Sequence, residues 1–188
     1  MITNFLNNRI ENSLEILKMS LTKEKHINSL AINETFFNTL YFDNDIRKSE
    51  QLKDVFDQLK KIKSPVLYWF EIDDTKITAE KIRILYTEHL VKKSNRAISS
   101  YKKDYDKNSK TLYVGKVKTG FWGRLITHLG YHKSNQTAGL QLFHWYNIAE
   151  GLPILKLNYI VYEREMEDLI SVLELDLARK LKPILGRY

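Results

Sequence analysis

The sequence predicts an α+β fold: a small mixed or antiparallel three-stranded sheet flanked by helices, preceded by a helical N-terminal subdomain. Two observations carry this. Apolar residues recur at helical spacing through the first sixty residues. Beyond Pro65 come three β-branched and aromatic runs, "VLYWFEI", "TLYVGKV" and "ILKLNYIVYE", separated by helical stretches rather than by tight turns. Strands and helices in mixed order point to α+β.

The elements follow in order. Leu6, Ile10, Leu14, Leu17 and Leu21 form one apolar stripe, predicting a first helix. "INSLAINETFFNTLYF" reads as a helix or a helix plus turn. Ser49 is a good N-cap for a further helix with Leu52, Val55, Phe56, Leu59 and Ile62 on one face. That helix ends in "KKIK", and Ser64-Pro65 closes it. The charges of this part nearly cancel, so residues 1–63 read as a bracing subdomain and 64–188 as the part that carries chemistry. After the "VLYWFEI" strand, "ITAEKIRILYTEHLVKK" is helical and "SNRAISSYKKDYDKNSK" loop-like. "TLYVGKV" leads into the helix that begins "WGRLITHL", and "EMEDLISVLELDLARKLKPIL" is a long helix ended by Pro183 and Gly186.

Composition narrows the class. A chain of 188 residues with 43% hydrophobic content can bury a real core. No apolar run reaches the ~18 residues that span a bilayer, and the N-terminus, interrupted by Asn, Arg and Glu, does not read as a secretory signal. The chain has no cysteine, which excludes disulfides and thiolate metal sites. A cytoplasmic protein with no membrane partner is the expectation.

The net charge of +7 is unevenly spread. Between His89 and Lys118, nine basic residues face only Asp104 and Asp106. That stretch lies mostly in a basic insertion at about residues 74–110. Lys92, Lys93, Arg96, Lys102, Lys103 and Lys118, interleaved with Tyr101 and Tyr105, have the composition of a phosphate-backbone footprint. A solvated lysine-rich loop has the same composition.

Taken singly, the chemistry-bearing residues have ordinary explanations. Tyr68 and Tyr113 sit in strands, where tyrosine is common. Arg124 and His128, four apart, could line one solvated helix face. Lys116 could be a surface charge. Glu174 is less easily placed, because its helical neighbours Ile170, Leu177 and Ala178 are apolar and a carboxylate there needs a cation, hydrogen bonds or a metal. His132 follows His128 by four residues, but Gly130 lies between them and no acidic residue adjoins His128, which argues against a zinc pair. Trp145 reads as core, with stacking on a base the alternative.

Together these residues resemble the GIY-YIG nuclease superfamily. Val66-Leu67-Tyr68 stands where that family has its first Gly-Ile-Tyr motif, and Tyr113-Val114-Gly115-Lys116 stands at its Tyr-Ile-Gly motif with the following basic residue. Arg124 with His128 matches the arginine and the histidine or tyrosine after it. Glu174, with Pro183 nine residues on, matches the metal-binding glutamate and its trailing proline. The resemblance covers about residues 64–188. It departs at three places: the first motif keeps only its tyrosine, 44 residues separate Tyr68 from Tyr113, and Gly186 occupies the position of an expected asparagine.

The resemblance implies a metal-dependent endonuclease acting on DNA, of restriction or defence type. In it Glu174 would hold Mg²⁺ or Mn²⁺, and Arg124 would stabilise charge developing on the phosphate. Tyr113, with Tyr68 beside it, or else His128, would be the general base, and Lys116 would favour the phenolate. One site cuts one strand at a time, so double-strand cutting would call for a homo-oligomer. The alternative is a non-catalytic nucleic-acid-binding module on the same fold.

Overall fold

The protein is described by a computed structural model over residues 2–73, 77–91, 99–100, 105–132, 138–146 and 151–187. It is an α+β fold built on a four-stranded antiparallel sheet. Helix α1 spans Ile2–Leu21, strand β1 Asn28–Ile32, helix α2 Lys53–Lys61, strand β2 Val66–Ile72 and helix α3 Ala79–Val91. Strand β3 spans Thr111–Val117, helix α4 Phe121–Leu129, strand β4 Leu155–Val161 and helix α5 Ile170–Leu181. The strand order is β1-β4-β2-β3.

Three strands lie where the β-branched and aromatic runs predict them. The fourth, β1, was expected to be helical and instead pairs with β4, Asn28 opposite Tyr159 and Ile32 opposite Leu155. Its five residues, "NSLAI", are too few for periodicity to separate a strand from a helical turn, and the edge of β4 supplies the hydrogen bonds that decide it. The rest of the expected helix is two single turns of 3-10 helix, Glu34–Phe36 and Thr39–Phe42. They are capped by the side chains of Asn33 and Asn38.

The core runs across the 63/64 boundary. Phe36, Ile46, Leu52, Phe56 and Leu59 belong to the same buried cluster as Val66, Tyr68, Phe70 and Leu125. Helix α2 presents the face the sequence predicts, but it begins at Lys53, and the Ser49 side chain bonds the Tyr41 hydroxyl at 3.0 Å instead of capping it.

Strand β2 is central and almost wholly buried, as its unbroken apolar run requires. Strand β3 is the outer strand on that side. After α5, Lys182 takes a left-handed conformation (φ 48°) and the chain turns back along β3. Ile184 N–H then donates to Thr111 O and Leu185 N–H to Leu112 O, both at 2.9 Å. This return lays Gly186 and Arg187 beside the edge of β3. Among the described residues, no helix is long and apolar enough to cross a membrane.

Candidate active site

Four separated residues meet at the junction of β2, β3 and α4. Tyr68 sits directly opposite Gly115 in the β2–β3 register, so its side chain shares a face with Tyr113. Gly120 (φ 69°) turns the chain from β3 into α4, and Arg124 and His128 lie one helical turn apart on it, facing those tyrosines. The Arg124 Nε–H donates to the Tyr68 hydroxyl at 2.9 Å and its Nη2 to the Tyr113 hydroxyl at 3.3 Å, while Nη1 donates to Ala138 O at 2.8 Å.

His128 is fully buried behind Tyr68. Leu140 N–H donates to its Nδ1 at 3.2 Å, and its Nε2 lies 2.8 Å from the Tyr68 hydroxyl. Burial, aided by the Arg124 charge, holds its pKa well below the ordinary 6.5, so the ring is neutral. With Nδ1 accepting, the single ring proton is assigned to Nε2, which donates to Tyr68. Neither nitrogen has an open lone pair. Of the two bases weighed from sequence, His128 therefore has no free nitrogen to take a proton in this geometry.

Tyr68 is almost fully buried, and desolvation is the main cause that raises its pKa far above that of a free phenol; the Arg124 guanidinium opposes this only in part. Its oxygen accepts from both Arg124 and His128. Tyr113 is half-buried, bonds Arg124 through its hydroxyl and lines an open cleft of about 350 Å³. The same cleft is lined by Val114, Lys116, Ser171, Glu174 and Arg187.

Glu174 projects from α5 to the edge of β3 and lines the same cleft as Lys116. Burial raises the Glu174 pKa above its usual range, while the charges of Lys116, Arg124 and Arg187 pull it back in part.

Among the described residues there is no group of three His, Cys, Asp or Glu able to hold a metal. A hard cation such as Mg²⁺ binds through one or two carboxylates and keeps several waters. Glu174, half-buried in an open cleft with Ser171 one turn before it, fits that single-carboxylate mode and no fuller cage.

The sequence-predicted residues thus divide. Tyr68, Tyr113, Arg124 and His128 form one hydrogen-bonded cluster, and Lys116 and Glu174 share the cleft onto which Tyr113 opens. Lys92, Lys93, Arg96, Lys102 and Lys103 lie outside the described residues. Lys118 is exposed and bonded to Asp168 at 3.1 Å, with Glu167 3.5 Å away, so its charge is largely committed within the chain. His132 is exposed and lies beyond α4, and Trp145 is core, its indole N–H bonded to Leu140 O at 2.7 Å.

Sequence reasoning missed two parts of the site. Residues 138–140 latch both Arg124 and His128, and the readable trace was Gly139: a Cβ there would lie 2.5 Å from Thr127 O. Arg187 reaches the cleft only because the chain after α5 doubles back along β3, which no local pattern announces. Compared with protein-family models, curated proteins and solved structures, the chain matches none.

Proposed function

We propose that the protein is a metal-dependent endonuclease that hydrolyses phosphodiester bonds in DNA. The observation that carries this reading is the convergence of Tyr68, Tyr113, Arg124 and His128 into one hydrogen-bonded cluster that opens onto a cleft holding Glu174 and Lys116. A pattern matched by accident would leave Tyr113 and Glu174 in unrelated places.

The chain's own residues divide the work. Arg124 spends three of its five N–H donors on Tyr68, Tyr113 and Ala138, which leaves a fixed fork with two donors for phosphate oxygens. Held by three partners, it needs no reorganisation as charge develops on the phosphate. Tyr68 and His128 hold it in place from behind. Tyr113, alone of the two tyrosines in lining the cleft, orients the attacking water. The water oxygen bonds to phosphorus as the water gives up a proton to solvent, a P–O ester bond breaks, and the departing alkoxide takes a proton back from solvent, so the net change is hydrolysis. Glu174 would hold Mg²⁺ or Mn²⁺, which supplies charge neutralisation on the phosphate. Lys116 and Arg187 make the cleft attractive to a polyanion.

The basic insertion suits DNA. Ser99 N–H bonds Gly139 O at 3.0 Å and Gly186 N–H bonds Ser100 O at 2.8 Å, so this segment is tied to the site, and Lys102 and Lys103 follow it by two and three residues. A second reading, a binding module without catalysis, is favoured by one observation: Gly186 offers no amide where the resembling family has asparagine.

The test is cleavage of supercoiled plasmid with Mg²⁺ or Mn²⁺ by wild type, Glu174→Ala and Arg124→Ala. Metal-dependent nicking that both variants lose supports the nuclease. Salt-sensitive DNA binding by a wild type that never cleaves supports the binding module instead.

A further inference from the structure

Helix α1 leaves most of its apolar stripe in solvent. Ile2, Leu6, Ile10, Leu14 and Leu21 are each exposed over 50% to 85% of their surface. The helix is fastened to the body along the adjoining side, by Arg9 to Asp168 at 2.8 Å and by Ser20 to Glu163 at 3.0 Å, with Ile16 and Leu17 half-buried there. Its stripe is therefore held outward by contacts made elsewhere.

We propose that this stripe is a homodimer interface, with α1 of one copy laid against α1 of a second. The area is the first reason. The stripe exposes on the order of 500–600 Å² of apolar surface, at the top of what monomers usually leave in one patch and the larger part of the ~800 Å² per partner of a standard interface. Spacing is the second. Leu6, Ile10 and Leu14 recur at four-residue steps with Leu21 one heptad beyond Leu14, a row along which two helices interdigitate, while Leu17 is half-buried at its border with the body.

Charge is the third reason. The stripe contains no charged side chain, whereas the whole chain carries +7, so this is a face on which two copies meet without mutual repulsion. DNA has nothing to pair with there. A helix lying in a membrane surface carries a Lys- and Arg-rich polar face. The polar face of α1 balances Arg9 and Lys18 against Glu11 and Glu15. The inference does not depend on the nuclease reading, although a dimer would bring two clefts into one particle.

The experiment is sedimentation of the full chain together with site-directed crosslinking. At tens of micromolar the wild type should sediment at twice 22.3 kDa, and Ile10→Glu/Leu14→Glu at the single mass. The chain has no cysteine, so Ile10→Cys should give a disulfide-linked dimer under mild oxidation while Glu15→Cys, on the polar face, should not. A wild type that stays at the single mass, equal crosslinking from both faces, or binding of α1 to phosphatidylcholine vesicles in place of self-association would overturn the proposal.

Discussion

Tyr68 and Gly115 face each other across the β2–β3 pair, and a Cβ on residue 115 would lie 2.6 Å from the Tyr68 hydroxyl and 2.6 Å from the Tyr113 ring. Neither neighbour can yield cheaply, because Arg124 and His128 hold the first hydroxyl and Arg124 the second. The glycine is a packing requirement of the site. Gly115→Ala should cost about 1–3 kcal/mol, the usual cost of overpacking a tight core, and lower the melting temperature by several degrees. Thermal unfolding followed by circular dichroism checks this, and an unchanged melt would show that the two tyrosines are free to move.

Tyr68→Phe removes the acceptor of two donors, Arg124 Nε–H and His128 Nε2–H. The His128 donor is then buried and unpaired, at a cost of about 1–3 kcal/mol. Arg124 loses one of its three tethers. Cleavage, if the proposed function holds, should fall at least tenfold while the fold remains.

His128 makes stability depend on pH. Its folded pKa lies below 6.5, so the unfolded chain binds the proton more readily. The stabilisation is complete above about pH 6.5 and is lost as pH falls through the folded value. His128→Gln should flatten that acid-side decline in unfolding free energy measured by urea titration.

Glu174 has the opposite sign. Burial raises its folded pKa, so ionisation costs stability as pH rises through that value, and nothing is lost well below 4.5. Glu174→Gln should raise the melting temperature by about 1–3 °C at pH 7.5 and leave it unchanged near pH 3, and should abolish the proposed metal-dependent cleavage. A lower melting temperature at pH 7.5 would mean that the cations around Glu174 outweigh its burial.

Gly186 sits at φ 118°, a backbone region L-residues rarely adopt. Gly186→Asn should therefore destabilise the protein by about 1–3 kcal/mol and should not raise cleavage, even though asparagine is the residue of the resembling family.

Much of the site was legible because its ingredients are local. Tyr68 and Tyr113 stand in runs whose β-branched and aromatic content marks strands. Gly120 and Gly130, both at positive φ, bracket the helix that carries Arg124 and His128 at one-turn spacing. Glu174 betrayed itself as a carboxylate among apolar helical neighbours. The latch at Ala138–Leu140 and the approach of Arg187 were not legible, because each depends on where a distant segment returns. Strand β1 was misread for a related reason: its hydrogen-bond partner, β4, lies more than a hundred residues away in the chain.

By itself the sequence determined three of the four strands, the core face of α2 and the identities of the residues that meet at the candidate site. All of these rest on periodicity, turn residues and charge, which act within a few residues. Only the tertiary structure decided that His128 is sealed behind Tyr68 with both ring nitrogens occupied, that Tyr113 is the tyrosine at the cleft, and that the stripe of α1 is left uncovered. Burial and hydrogen-bond partnership are properties of the assembled chain, and they decide which side chains are sealed and which reach the cleft.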